Sequence, residues 1–316
     1  MIKIRFRNFQ DDVDDLGRLW FKELIEIATS EKVQIVERVD QMVDLEITGP
    51  YNSDSDDFKT PFIKRLKRLA YITISNGHHL AYKDLAAGIQ PLRTAKKNIW
   101  FTGENARPPQ GNWDLYLSFD SNLSERVVYL PLWMMTCTNL LESSKKTHWN
   151  QRIPDIESLI QPRTLLKMNK KFCCSFIGKT YPLRLHAIEE LSRINSIDVF
   201  GTSVRNTKKF PGKIAANYRF CLCFENDVYP GYVTEKPFVS YFAGTIPLYY
   251  GLDREKFLNP KAVINLFDFK TLRSYRDYVN EVNSDYDLYK YHYEQPLLLK
   301  KPNLESIVSK ISELLR

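Results

Sequence analysis

Residues 219–238 read R-F-C-L-C-F-E-N-D-V-Y-P-G-Y-V-T-E-K-P-F. They begin with an apolar run typical of a buried strand and pass through a Pro-Gly turn. They end in T-E-K-P, which is typical of the first residues of a helix. A buried strand followed by a turn and a helix is the repeating unit of an α/β domain. This stretch therefore predicts a strand at 219–226, a loop, and a helix that begins at Thr234.

The same alternation of short apolar segments and helical patterns occurs in both halves of the 316-residue chain. A chain of this length is expected to form about two domains, here of α/β class with largely parallel sheets. Residues 142–171 are polar and basic and contain two prolines, and they separate the two halves. We therefore expect an N-terminal domain at 1–150, a second domain at 168–302 and a terminal helix at 303–316.

Hydrophobic periodicity predicts the individual elements. Strands are predicted at 2–6, 33–39, 43–49, 98–102, 113–120, 126–132, 172–177, 197–201, 219–226, 245–251 and 262–269. Further helices are predicted at 16–29, 183–194, 271–282 and 303–315.

The net charge of +7 and the pI near 9.0 favour an anionic partner. The densest basic cluster is F-I-K-R-L-K-R-L at residues 62–69. On a helix its apolar residues would share one face, which is typical of contact with an anionic membrane or an acidic polymer. A solvated helix face packed on its own domain is the alternative. No zinc knuckle, RRM signature or helix-turn-helix pattern is visible, so nucleic acid is not an expected partner.

The sequence opens with M-I-K-I-R-F and shows no run apolar enough for a signal peptide or a membrane span. The expected location is cytoplasmic, at the inner face of the membrane if the basic cluster binds lipid. The five cysteines fit this expectation. Four of them lie in apolar, strand-like runs as Cys173-Cys174 and Cys221-x-Cys223, and they are interpreted as reduced core residues.

The start of the predicted helix has the groups that bind an anion. Thr234 can serve as the N-cap, and Glu235 and Lys236 fall in the first turn, where backbone N–H groups and the helix dipole favour negative charge. The turn at Pro230-Gly231 would let the backbone approach a ligand closely. Together these features predict a diphosphate site. Alternatively, Glu235 is an ordinary first-turn residue and Lys236 a solvated one.

Two further clusters follow predicted strands, the position at which α/β domains bind ligands. In G-T-S-V-R-N-T-K-K, residues 201–209, Arg205 could hold a phosphate through its planar guanidinium. In W-F-T-G-E-N-A-R-P-P, residues 100–109, Glu104 is suited to act as a general base on a hydroxyl. A plain polar loop is the alternative for each cluster.

The run F-E-N-x-x-x-P-G-Y-V-T-E-K at 224–236, followed by Y-F-A-G-T-I-P-L-Y-Y-G at 241–251, resembles the signature of the α-1,3-fucosyltransferase family, glycosyltransferase family 10, in its bacterial form. T-G-E-N at 102–105, S-V-R-N-T at 203–207 and F-L-N-P-K-A-V-I-N at 257–265 occur in the same order as in that family. The resemblance covers roughly residues 98–268.

The resemblance implies a GT-B fold, in which two Rossmann-like domains face each other across a crevice. The second domain would bind GDP-fucose and the first the sugar acceptor, and the helix at 303–316 would cross back to the first domain. Transfer would proceed with inversion to a hydroxyl, the 3-OH of N-acetylglucosamine in a lactosamine-type glycan. The acceptor would be an oligosaccharide, with a lipid-linked glycan or lipopolysaccharide as one option. A peripheral contact with an anionic membrane is expected only if the basic cluster at 62–69 binds lipid.

Seven positions match functional residues of the family. The catalytic positions are Glu104, matched to the general base, and Glu235, and the donor-binding positions are Arg205, Asn226, Tyr232, Val233 and Lys236. Glu235 would either bind the nucleotide ribose or stabilise the charged sugar in the transition state. Arg205 and Lys236 would neutralise the departing diphosphate, so neither a cofactor nor an essential divalent metal is expected. The metal-like runs D-S-D at 54–56 and D-Y-D at 285–287 are interpreted as solvated surface.

The sequence departs from the family pattern at several positions. Val239 stands where an aspartate is common, Tyr250 where a tryptophan is common, and residues 1–95 contain no motif that we recognise. Two other interpretations therefore stay open. One is a GT-B transferase that uses another nucleotide sugar, such as GDP-mannose, and the other is a non-enzymatic basic docking module.

Overall fold

A computed structural model describes most of the chain. The described residues are 1–9, 14–50, 89–120, 126–137, 156–165, 170–178, 180–201 and 212–316. The basic cluster at 62–69, the D-S-D run at 54–56 and Arg205 lie outside them. The chain divides into two compact units. The first unit comprises Met1–His148, Tyr229–Tyr232 and Pro302–Arg316, and the second comprises Trp149–Val228 and Val233–Lys301.

The described residues form two parallel sheets with helices between their strands. The strands are β1 Ile2–Arg7, β2 Val33–Ile35, β3 Val43–Thr48, β4 Ala95–Phe101, β5 Leu115–Ser118, β6 Val127–Tyr129, β7 Lys171–Phe176, β8 Ile197–Phe200, β9 Tyr218–Phe224, β10 Ile246–Tyr250 and β11 Ile264–Asn265. The helices are α1 Asp14–Thr29, α2 Leu132–Cys137, α3 Ile156–Leu159, α4 Pro182–Ser192, α5 Gly212–Ala215, α6 Lys236–Phe242, α7 Leu272–Ser284, α8 Tyr286–Tyr293 and α9 Leu304–Leu315.

The sheet of the first unit has the order β2-β1-β3-β4-β5-β6, and all of its neighbours are parallel. The carboxyl ends of its strands therefore share one edge, so the residues that follow β4 and β5 are neighbours. The helix α1 buries Phe21 and Leu24 completely. The terminal helix α9 packs against α1 and buries Ile307 and Ile311. It thus belongs to the first unit, although it follows the second unit in sequence.

The sheet of the second unit has the order β11-β10-β9-β7-β8 and is likewise parallel. Its central strand β9 is buried at six of seven positions, which explains the unbroken apolar run R-F-C-L-C-F in the sequence. A core of aliphatic and aromatic side chains from β9, β10 and α7 covers one face. The predicted α/β class with two parallel sheets is confirmed.

Several predicted strands extend beyond the observed ones, among them those at 33–39, 126–132 and 262–269. The strand predicted at 262–269 is limited to Ile264–Asn265 and is followed by a 3₁₀ helix at Leu266–Asp268. The side chain of Asn265 accepts a hydrogen bond from the Phe267 N–H at 3.2 Å, which turns the chain out of the extended conformation. The strand predicted at 126–132 ends at Tyr129, and α2 begins at Leu132.

The helix α8 is absent from the predicted elements, and the D-Y-D run lies at its start. Asp285 is the N-cap of α8, and its carboxylate accepts the Leu288 N–H at 2.9 Å. Asp287 lies in the first turn, where a negative charge is favourable. All three residues of the run are exposed, in agreement with their interpretation as surface.

Candidate functional site

Glu225 is the first residue after β9 and lies at the carboxyl edge of the second sheet. Its backbone N–H donates to the carbonyl of Tyr250 at 3.0 Å, so the pairing of β9 with β10 continues one residue beyond the strand. Its side chain is completely buried. A buried carboxylate is stable only when charged or polar groups surround it, and four such groups do so here.

Three residues donate these hydrogen bonds. Thr234 contributes its backbone N–H at 2.8 Å and its hydroxyl at 2.8–2.9 Å. The ammonium of Lys236 lies 2.9 Å from Oε2 of Glu225, and the hydroxyl of Tyr249 lies 3.2 Å from Oε1. Burial and the neighbouring carboxylates of Glu225 and Asp253 raise the pKa of Tyr249, so this phenol remains a donor. Glu225 therefore organises the loop between β9 and α6.

Lys236 is the cation of this cluster, and it is partly accessible, with 24% of its side chain exposed. Its ammonium also donates to the hydroxyl of Thr234 at 3.0 Å. Burial alone would lower the pKa of Lys236, but the charges of Glu225 and Glu235 outweigh it and the pKa is raised. Contacts with the described residues use two of the three ammonium N–H groups, so with respect to that part of the chain one N–H group is left for a ligand oxygen.

Arg184 is a second cation at this edge, and it comes from the first turn of α4. It is 5% exposed, and its guanidinium donates to the Phe224 carbonyl at 2.7 Å and to Oδ1 of Asn226 at 3.2 Å. Its charge acts on Lys236 as well, since it opposes protonation of that ammonium. The sequence analysis did not assign Arg184 to the site. The sequence signal that could have identified Arg184 is its position in the first turn of a helix that follows a strand.

The helix start differs from the prediction. The helix α6 begins at Lys236 with Glu235 as its N-cap, whereas Thr234 was expected to be the N-cap. The reason is that Glu225 binds both the N–H and the hydroxyl of Thr234, so the threonine holds the loop. Because α6 has only seven residues, about two turns, its dipole is short. Among the described residues, the positive charge at this edge therefore comes mainly from Lys236 and Arg184.

The other predicted donor residues of the second unit occupy three different environments. Asn226 is half-buried and accepts from Arg184. Glu235 is half-buried, and its charge helps to raise the pKa of Lys236. Val233 is 1% exposed, a burial typical of a packing residue. The structure thus brings Asn226, Glu235 and Lys236 to one sheet edge, whereas Arg205 lies outside the described residues.

Glu104 lies in the first unit, in the turn that follows β4. Thr102 holds this turn, because its hydroxyl donates to the Glu104 carbonyl at 2.7 Å and accepts the Glu104 N–H at 3.1 Å. The N–H of Ala106 donates to the same carbonyl at 2.7 Å. The side chain of Glu104 is half-buried. These contacts fix the backbone from which the Glu104 carboxylate projects.

Tyr232 belongs to the first unit, together with the rest of Tyr229–Tyr232. It is 2% exposed, and its ring packs on Phe119 with 5.2 Å between centroids. Gly231 has a positive φ of 87°, and a Cβ there would lie 2.6 Å from the Phe119 carbonyl oxygen. The Pro-Gly turn was expected to let the backbone approach a ligand. In the structure it approaches the backbone that follows β5.

No group of three or more His, Cys, Asp or Glu side chains is arranged to hold a metal ion among the described residues. Within the same residues, no helix has the length and apolar character needed to cross a membrane. All five cysteines are described, and each is a buried free thiol.

Known proteins resemble this chain both in fold and in the sequence of the second unit. The chain resembles a solved α1,3-fucosyltransferase with a TM-score of 0.65 at 20% identity, over 99% of this chain and 90% of that one. The same TM-score is found for an α1,3-fucosyltransferase solved with GDP-fucose, at 19% identity over 100% of this chain and 90% of that one. These similarities show the fold, and the predicted GT-B class is confirmed.

Sequence relatives give the family. The model for glycosyltransferase family 10 (fucosyltransferase), C-terminal part, matches residues 166–298. An α-(1,3)-fucosyltransferase of Helicobacter pylori is 30% identical over 250 residues, which are 68% of this chain and 52% of the relative. A putative fucosyltransferase of Acanthamoeba polyphaga mimivirus is 25% identical over 150 residues, 42% of this chain and 25% of the relative. The chain thus spans about half, or less, of the length of these curated relatives. Residues 166–298, the part of the second unit that contains Glu225 and Lys236, therefore belong to glycosyltransferase family 10.

Proposed function

We propose that this protein transfers L-fucose from GDP-fucose to a hydroxyl of a glycan acceptor, with inversion at the anomeric carbon. The family and the bacterial relative support the class of reaction. A solved protein of the same fold that contains GDP-fucose supports the choice of donor. The observation on which the proposal rests is the cationic edge after β9, where the buried Glu225 fixes the partly exposed ammonium of Lys236.

The donor diphosphate would bind at this edge. Its oxygens would accept from Lys236 and from Arg205, and Arg184 would add positive charge through its position beside Asn226. Cations next to the diphosphate stabilise the negative charge that grows on GDP as the glycosidic bond breaks. The family pattern also assigns donor contacts to Tyr232 and Val233, and because both side chains are buried, at 2% and 1% exposure, such contacts would come from their backbone. This arrangement uses protein cations alone, and we propose that a divalent metal is not essential, which activity after dialysis against EDTA would test.

Glu104 would act as the general base on the acceptor. Its carboxylate removes the proton of the attacking hydroxyl, and the hydroxyl oxygen forms a bond to the anomeric carbon of fucose. The bond from that carbon to the diphosphate oxygen breaks, and its electron pair leaves with GDP. Attack from the face opposite the leaving group inverts the configuration. A positioned base of this kind contributes on the order of 10²–10⁴ in rate.

Glu235 has two roles open to it within this scheme. As the N-cap of α6 it is held beside Lys236, where it could accept from the ribose hydroxyls of the nucleotide. Its negative charge could instead stabilise the positive charge that develops on the sugar ring in the transition state. Replacing Glu235 by Gln separates the roles, because loss of ribose binding raises the donor KM, whereas loss of transition-state stabilisation lowers kcat.

The acceptor we propose is a lactosamine-type glycan that receives fucose on the 3-OH of N-acetylglucosamine, presented on a lipid or in lipopolysaccharide. A cytoplasmic location at the inner membrane face fits five free thiols and the basic cluster at 62–69, which lies outside the described residues. Flotation with anionic liposomes tests the membrane contact. A variant with Lys64 and Lys67 changed to Gln should bind less lipid, and unchanged binding would contradict the contact.

A donor hydrolysis assay without acceptor tests the proposal directly. GDP-fucose, GDP-mannose and UDP-sugars are each incubated with the protein, and the release of the nucleoside diphosphate is measured. We expect hydrolysis of GDP-fucose and little of the others. Preference for GDP-mannose would assign the chain to a different donor. The absence of hydrolysis and of binding with every donor would favour a docking module.

A further inference from the structure

The 229–232 segment, defined as Tyr229–Tyr232, makes an unusual contribution to the first unit. Its neighbours on both sides, Val228 and Val233, belong to the second unit, whereas these four residues pack within the first. The hydroxyl of Tyr129 donates to the Gly231 carbonyl at 3.3 Å. Four residues from the run that carries the donor motif thus pack as part of the unit that contains Glu104.

Tyr229 makes the most specific of these contacts. Its hydroxyl donates to Oδ2 of Asp120 at 2.8 Å, across 109 positions of sequence. Its ring lies against the guanidinium of Arg107, whose central carbon is 3.5 Å from the ring centroid. Contact of a guanidinium with an aromatic face at this distance is favourable, and more so in a desolvated setting.

Arg107 and Asp120 connect this contact to the turn that bears Glu104. The two side chains form an ion pair at 3.3 Å, and they are 9% and 2% exposed. The guanidinium also donates to Oδ1 of Asn105, the residue next to Glu104. Asp120 follows β5 and Asn105 follows β4. Arg107 binds both residues and so joins the ends of these neighbouring strands. The turn is therefore held by Thr102 on one side of Glu104 and by this cluster on the other.

We infer that Tyr229, Arg107 and Asp120 are positioning residues for Glu104. The inference rests on the proposed role of Glu104 as the general base. The physical argument is that a base acts only when its carboxylate stays within hydrogen-bond reach of the acceptor hydroxyl. A misplacement of about 1 Å can reduce the rate by about 10²-fold. Three buried or half-buried side chains joined by a charge pair, a hydroxyl donor and ring stacking restrict the movement of residues 104–107.

The test is a double-mutant cycle between Tyr229→Phe and Glu104→Gln. Tyr229→Phe removes the hydrogen bond to Asp120 but keeps the ring over Arg107. We expect it to lower kcat for transfer by about tenfold or more, with the donor KM and the affinity for GDP unchanged. In the Glu104→Gln background the same change should lower the residual transfer rate by less than about twofold, because no base remains to be positioned.

Tyr116→Phe is the matched control, since Tyr116 lies in β5 of the same unit and its hydroxyl makes a long, 3.5 Å contact with the Gly111 carbonyl. It should leave kcat unchanged. A full kcat for Tyr229→Phe, or the same loss in both backgrounds, would overturn the inference while leaving Glu104 as the base. Asp120→Asn gives a second measurement of the same kind. If the Glu104→Gln variant transfers fucose at the wild-type rate, Glu104 is not the base, and the inference that depends on this role is also wrong.

Discussion

The ammonium of Lys236 lies 2.9 Å from the carboxylate of Glu225, a side chain that is completely buried at the end of β9. The pair places a cation at the sheet edge where the family motif lies, and it restricts the direction in which that cation can bind a ligand. Because the carboxylate also holds Thr234 and Tyr249, the ammonium is part of a fixed network. Such preorganised cations need little rearrangement when charge develops on a leaving group.

Removal of this ammonium is the first prediction. Lys236→Ala should weaken binding of GDP much more than binding of guanosine, because the lost contact is to phosphate oxygen. Isothermal titration calorimetry with both ligands measures this difference. Lys270→Ala, an exposed lysine of the same unit, should change neither affinity. Equal losses for GDP and guanosine would mean that Lys236 does not contact the diphosphate.

The same variant should also be less stable. Without Lys236 the buried Glu225 carboxylate loses its cation, which should cost on the order of 2 kcal/mol, less than for a fully buried pair because the lysine is partly exposed. Addition of Glu225→Gln to Lys236→Ala should recover part of this loss. Affinities are therefore compared below the thermal transition of each variant.

The second prediction concerns the base. Glu104→Gln should keep its affinity for GDP but lose transfer by at least about a hundredfold, the low end for a general base. The amide has nearly the same shape as the carboxylate, yet it cannot accept the proton of the acceptor hydroxyl. Steady-state transfer and GDP titration are measured on the same preparation. Transfer at the wild-type rate would rule out Glu104 as the base.

The third prediction is a pH dependence of stability at His292 in α8. Its Nδ1–H donates to the Lys261 carbonyl at 2.7 Å, and its Nε2 therefore accepts from the Tyr278 hydroxyl at 2.8 Å. Burial lowers the pKa of His292 below its ordinary value of 6.5, against the opposing effect of the hydrogen bond to Lys261. The unfolded chain then binds a proton before the folded one does. Stability is full above about pH 6.5 and falls as the pH drops below it.

Chemical unfolding at pH 7 and pH 5 tests this effect. We expect His292→Gln to lose less stability between the two pH values than the wild type does, because the glutamine does not titrate. A slope for His292→Gln identical to that of the wild type would show that His292 does not contribute to acid sensitivity.

The fourth prediction concerns the terminal helix. Ile311 is completely buried where α9 packs against α1, so Ile311→Ala should lower the free energy of unfolding of the first unit by about 2–5 kcal/mol. Ser309→Ala, at an exposed position of the same helix, should change it by less than about 0.5 kcal/mol. Thermal unfolding followed by tryptophan fluorescence reports on this unit through Trp20 in α1. A fully stable Ile311→Ala protein would contradict the packing of α9.

The sequence alone determined the α/β class and most strand positions, because hydrophobic periodicity reports directly which face of an element is buried. It also indicated the run at 224–236 as the site, since polar residues after a buried strand lie at a ligand-binding edge. Tertiary structure decided how those residues are used. Thr234 matched the pattern of an N-cap, yet the buried Glu225 engages it, and Arg184 reaches Asn226 across 42 positions. Tyr229 has its hydroxyl partner in Asp120, in the other half of the sequence. Local patterns contain no information about partners so distant in sequence, because these pairs form only when separate strand ends meet in the folded chain.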